Sequence, residues 1–142
     1  MQCAIVEYAE DLGLAFTASK NGIPTTPRLG AIYKRSGVRA GWPDITIAKV
    51  GARGEPGLYV ELKTARGRQL TATQQVWQAR LRSEGYVCER VTSLAQFKEL
   101  IKNYLTADGP PFDRSPGASP PSPGTCSACR HQPRAAQSVQ NP

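Results

Sequence analysis

Residues 44–63 leave little freedom in how they fold. Over residues 44–50, Ile45 and Ile47 fall on one side of an extended chain, with Asp44, Thr46 and Ala48 on the other. After a turn-rich segment at 51–57, Leu58, Val60 and Leu62 point one way while Tyr59, Glu61 and Lys63 point the other. Two such runs joined by a Gly- and Pro-containing loop predict a β-hairpin. If the hairpin pairs in register, Asp44 emerges beside Glu61 and Lys63 on its polar face.

The flanking segments supply what such a hairpin packs against. Ile5, Tyr8, Ala9 and Leu12 repeat at helical spacing over residues 4–12, and Gly13 follows as a stop. Residues 14–18 suit a short strand. Residues 19–42 read as a long irregular connection rich in Gly, Pro and Lys/Arg, a kind that is usually functional or disordered. Thr71 and Gln74 form a capping box that opens a helix running to Glu84, with Trp77 and Leu81 on its buried face and Gly85 as its end. Residues 86–92 read as a strand. Ser93 and Gln96 repeat the capping pattern before a last helix striped by Leu94, Phe97, Ile101 and Tyr104. The order predicts an α/β fold, a small mixed β-sheet flanked by helices, over residues 1–106. Eight of the twelve prolines lie in residues 108–142 among Ser, Gly and Gln, so 107–142 is expected to be a disordered tail.

Charge narrows the partner. The net charge is +7, and residues 20–68 hold ten Lys/Arg against Asp44, Glu55 and Glu61. A basic segment around a few acids suits a polyanion such as DNA, whose phosphates release counterions on contact. No apolar run is long enough for a membrane span, and no signal peptide is evident. Cys3, Cys88, Cys126 and Cys129 form no disulfide framework, which points to a reducing cytoplasm. Cys126, Cys129 and His131 offer three zinc ligands with no second pair at finger spacing, so a metal-free tail is expected.

The polar face of the hairpin carries the chemistry. Cleaving a phosphodiester at neutral pH needs a polarised phosphate and an activated water, and a divalent cation held by carboxylates serves both. Asp44 and Glu61 are the acids placed to hold it, the Leu62 carbonyl is a natural further ligand, and Lys63 is placed to orient water or offset phosphate charge. Taken singly each feature has a plainer reading. Acid-x-Lys occurs on solvated sheet faces, and an Asp after Pro is a common turn residue. The joint pattern is more specific than its parts. Lys34, Arg35, Arg39, Arg66 and Arg68 flank the centre, as phosphate contacts or as solvated loop charge. Trp42 is expected to pack beside the strand rather than stack on a base.

The stretches Gly41-Trp42-Pro43-Asp44, Val60-Glu61-Leu62-Lys63, Gly67 and Thr71-x-x-Gln74 closely resemble the virus-type replication-repair nuclease domain. That family is a branch of the PD-(D/E)xK nucleases with a restriction-endonuclease-like core, and the resemblance covers about residues 2–105. It implies that Asp44 and Glu61 bind Mg²⁺ or Mn²⁺, that Lys63 is the catalytic lysine, and that Gln74, or its neighbour Gln75, lines the site. It further implies a homodimer acting on branched or nicked DNA in phage or prophage replication and repair, in a bacterial host cytoplasm. One position departs. The family places an acid on the first helix, a few residues before a glutamine like Gln2, and here that acid would fall before Met1. Either the true start lies earlier, or Glu7 or Glu10 substitutes, or the site works with fewer ligands. Two functions therefore stay open: a metal-dependent endonuclease, and a catalytically inactive nucleic-acid-binding module of the same fold.

Overall fold

The computed structural model describes residues 1–19, 26–64, 69–113 and 115. Four helices and four strands follow in the order α1 (Gln2–Asp11), β1 (Phe16–Ala18), α2 (Pro27–Arg35), β2 (Ile45–Ile47), β3 (Leu58–Leu62), α3 (Ala72–Ser83), β4 (Val87–Val91) and α4 (Leu94–Thr106). The strands form one mixed sheet in the order β1-β2-β3-β4. β1 and β2 pair antiparallel, as do β2 and β3, whereas β3 and β4 run parallel with α3 as the crossover between them. The predicted hairpin is β2–β3, and its register sets Ile45 against Val60 and Ile47 against Leu58.

Alternation along the hairpin gives the sheet two unlike faces. Ile45, Ile47, Leu58, Val60, Val87 and Val91 turn to one side and meet Ile5 and Ala9 of α1 and Phe97, Ile101 and Tyr104 of α4 in a closed apolar core. α3 covers the other side through an aromatic chain. Trp77 packs edge-on against Trp42 at 5.0 Å, Trp42 against Tyr59 at 5.5 Å and Tyr59 against Tyr86 at 5.2 Å between ring centres. Trp42 is thus a packed aromatic, as its sequence context implied.

Glycine is required where α3 meets the segment that precedes Asp44. Gly41 has φ +78°, and a Cβ there would lie 2.8 Å from Thr73 Cγ2 and 3.0 Å from the Thr73 backbone. The Trp77 indole N–H donates to the Ala40 carbonyl at 3.1 Å and closes the same contact.

Two segments differ from the sequence expectation. Residues 27–35 are helical, where an irregular stretch was expected. Thr26 accepts from the Leu29 N–H at 3.3 Å and Pro27 supplies a preset φ in the first turn. None of the residues of α2 is buried, and Leu29 and Ile32 are 42% and 48% exposed, so no core-facing stripe announced it.

The chain also stays on the domain past Asp108. Arg53 donates to the carbonyls of Ala107 at 2.8 Å and of Gly109, and to Asn103 Oδ1, while its guanidinium lies 5.8 Å from the Phe112 ring. Asn103 Nδ2 donates to the Pro110 carbonyl at 3.0 Å. The expected disorder of the remaining tail, and the cysteines within it, fall outside the described residues.

The β2–β3 loop is fastened to α4. The Tyr104 hydroxyl reaches the carbonyls of Lys49 at 2.6 Å and Glu55 at 3.2 Å, and the Ala52 N–H donates to the Tyr104 carbonyl at 2.8 Å. Glu55, which reads in sequence as an ordinary loop acid, is 1% exposed, and its Oε2 accepts the Arg53 N–H at 3.0 Å. Tyr104→Phe removes a buried hydroxyl from two carbonyls and should cost about 1–3 kcal/mol. Thermal denaturation should register it as a drop of roughly 4–8 °C per kcal/mol, and an unchanged midpoint would show the fastening to be idle. Gly41→Ala combines a strained left-handed alanine with a clash and should cost about 1–3 kcal/mol. A midpoint equal to the wild type would show that α3 does not need the close approach.

Candidate active site

The polar face of the hairpin holds the site. Pro43 is fully buried and leads into Asp44, and Ser19 at the end of β1 pins that segment. The Ser19 N–H donates to the Asp44 carbonyl at 2.7 Å and its hydroxyl donates to the Pro43 carbonyl at 2.9 Å. Asp44 therefore enters β2 with its backbone fixed. Its Oδ2 accepts the Leu62 N–H at 2.8 Å, which ties the acid across to β3. One step beyond the paired Ile45 and Val60, the antiparallel register sets Asp44 opposite Glu61.

Glu61 and Lys63 share the same face of β3, and α3 delivers the fourth residue. Glu61 is only 3% exposed. Its Oε1 receives the Lys63 ammonium at 2.9 Å and also the amide N–H of Gln74. Gln74 Oε1 in turn accepts from Lys63 Nζ at 3.0 Å and from the Thr71 N–H at 2.9 Å, while the Thr71 hydroxyl accepts the Gln74 N–H at 3.3 Å. The capping box read from sequence is thus wired into the site, and one amide closes the helix and joins the acid to the lysine. Gln75 is not part of this network, since its side chain turns away and donates to the Leu70 carbonyl at 3.1 Å.

The electrostatics favour a cation. Burial pushes the Glu61 carboxyl above the usual glutamate range, with the Asp44 carboxylate adding to the rise and the bonds from Lys63 and Gln74 working against it. Asp44 Oδ1 and Glu61 Oε2 take no hydrogen bond from the described residues. Leu62 presents its N–H to Asp44, and its carbonyl, pointing the same way in an extended strand, lies on that side too. Two carboxylate oxygens and a carbonyl suit an oxygen-seeking ion that keeps several waters, as Mg²⁺ does.

No third carboxylate joins them among the described residues. Among the described residues no group of three acids, cysteines or histidines is gathered for a metal. Glu7 and Glu10 are exposed on α1, and neither completes such a group.

The flanking basic residues have separate fates. Lys34 and Arg35 are exposed on the last turn of α2, where their charge also complements the helix dipole. Arg39 donates to the Lys34 carbonyl at 2.9 Å and so closes the end of that helix. Gly67, Arg66 and Arg68 lie outside the described residues. The sequence reading missed Ser19, whose hydroxyl and N–H hold the Pro43-Asp44 step. No local pattern marks it, because its partners are 24 or more residues away.

No protein-family model matches the chain, and no curated protein matches it. Among solved structures, one named "VRR_NUC domain protein" is 26% identical over 82% of this chain and 93% of its own, with a TM-score of 0.56. Another, named "VRR_NUC domain", is 24% identical over 72% of this chain and 91% of its own, with a TM-score of 0.49. In helix count, mixed-sheet topology and likeness to the first of these structures, the chain has the VRR_NUC fold, a nuclease-type domain.

Proposed function

We propose that the chain is a divalent-metal-dependent DNA endonuclease of the PD-(D/E)xK kind. The observation that carries this reading is the apposition of Asp44 and Glu61, each with one oxygen that takes no hydrogen bond from the described residues, beside a lysine held by both Glu61 and Gln74. Mg²⁺ or Mn²⁺ bound by Asp44, Glu61 and the Leu62 carbonyl would polarise the phosphate and lower the pKa of a water.

The chain's own residues do the rest. Glu61 Oε1 and Gln74 Oε1 fix the Lys63 ammonium and leave one of its three protons for a water or a phosphate. There it orients the attacking water or offsets the charge that grows on the phosphate oxygens. Lys34 and Arg35 give phosphate contacts away from the cut. Following the resemblance, the proposal extends to a homodimer that acts on branched or nicked DNA during phage or prophage replication and repair.

The test is cleavage of branched, nicked and linear DNA with Mg²⁺ or Mn²⁺, with and without a chelator. Wild type should cut only with free metal, and Asp44→Ala and Glu61→Ala should abolish cutting. Lys63→Ala should slow it by roughly 10²–10³-fold, the usual loss for one charge-stabilising group, with Mn²⁺ binding retained. Cutting by Asp44→Ala at the wild-type rate would sink the proposal. Light scattering at several concentrations checks the dimer, a monomer mass throughout being the contrary result.

A second reading, a DNA-binding module without catalysis, is favoured by the want of a third acid among the described residues. It requires salt-sensitive binding that survives chelation, and no cleavage under any of these conditions.

A further inference from the structure

Beside the two carboxylates the sheet ends, and the surface there is built to take something. β4 is an edge strand, and the parallel register aligns Glu61 with Arg90. Arg90 therefore stands on the face that carries the site, one strand farther out. Its side chain is exposed, and among the described residues the guanidinium makes no hydrogen bond or ion pair.

Arg90 lines an open recess of about 750 Å³ between α3 and this edge, together with Gln69, Gln75, Gln78 and Arg82. Gln75 directly follows Gln74, so the recess begins one residue from the amide that holds Glu61 and Lys63. Gln75 uses its amide N–H on the Leu70 carbonyl and leaves its oxygen free. Glu89 reaches the recess from the core side of β4, where the charge of Arg82 offsets its own. Among the described lining residues Arg90 is thus the cation without an acidic partner, and side-chain amides make up most of the remaining polar lining.

We propose that this recess holds a single-stranded segment of DNA as it leaves the cleavage centre, with Arg90 as its phosphate contact. Arginine offers a fork of donors to a phosphate, and the glutamine amides bond to sugar and base edges alike. Among the described residues no aromatic ring lines the recess, so the contact follows the backbone without base stacking. Its volume lies in the range of small-ligand pockets, enough for a short stretch of one strand. The inference rests on the nuclease reading, and it narrows the substrate to DNA with an unpaired strand beside the cut.

The experiment compares a duplex bearing a single-stranded tail with a blunt duplex of equal length. Binding is followed by fluorescence anisotropy in chelator across a salt series, with thermal midpoints confirming that each variant is folded. Arg90→Ala should weaken tailed-duplex binding about five- to tenfold and lower the salt slope by about one, with blunt-duplex binding unchanged. Arg90→Glu should weaken it further. Tailed binding equal to wild type, or equal losses on both DNAs, overturns the proposal.

The same samples are then given Mn²⁺. If wild type cuts while Arg90→Glu binds the tail as wild type does, the recess proposal fails and the nuclease reading stands. If tail binding depends on Arg90 and nothing is cut, the recess stands and the catalytic reading falls. A wild type that neither binds nor cuts DNA ends both.

Discussion

The amide of Gln74 is the interaction on which the site depends, and it can be assembled only one way round. Its oxygen accepts from the Thr71 N–H and from the Lys63 ammonium, both of which are donors alone. A flipped amide would set N–H groups against both. The nitrogen must therefore face Glu61, and it occupies the same oxygen that Lys63 reaches. That leaves the other Glu61 oxygen without a hydrogen bond from the described residues. Local helix chemistry, the closing of a first turn, thus decides which lone pairs of a distant strand are taken up. A buried network of this kind is stable when every member is satisfied.

The two faces of the sheet divide the labour. One face is closed by α1 and α4 over an apolar core and supplies cohesion. The other carries Asp44, Glu61 and Lys63 under α3, where burial raises the cost of ionising Glu61. The core offsets that cost. Because strand side chains alternate, neither face can be rearranged without the other.

Most of this was legible in the sequence where a short-range pattern records a long-range result. The hairpin was legible because burying one face forces alternation, and α3 and α4 because capping residues and apolar stripes mark them. The four central residues followed from the same alternation and the motif they complete. α2 was missed because its apolar residues face solvent, leaving only the Thr26-Pro27 start as a signal. Glu55 was read only as a loop residue because nothing nearby shows that Tyr104, 49 residues on, closes over it. Arg90 was unremarked because the offset of β4 along β3 is set by the α3 crossover, not by any pattern in either strand. Arg39 was read as a phosphate contact or solvated loop charge, and in the structure its guanidinium donates to the Lys34 carbonyl near the end of α2.

The fastening of the β2–β3 loop to α4 has a consequence at the far end of the hairpin. A slide of one residue between β2 and β3 is barred by the core, since it would turn the isoleucines to water. A slide of two keeps every side chain on its proper face, and hydrophobic burial alone opposes it only weakly. Such a slide would carry Asp44 away from Glu61 by roughly 6.6 Å, two strand residues, which no single metal ion bridges. The Tyr104 hydroxyl, bound to carbonyls on both sides of the turn, fixes how many residues the loop can spend. The loop is the ruler that sets the spacing of the two acids, and a tyrosine on the last helix holds its zero mark.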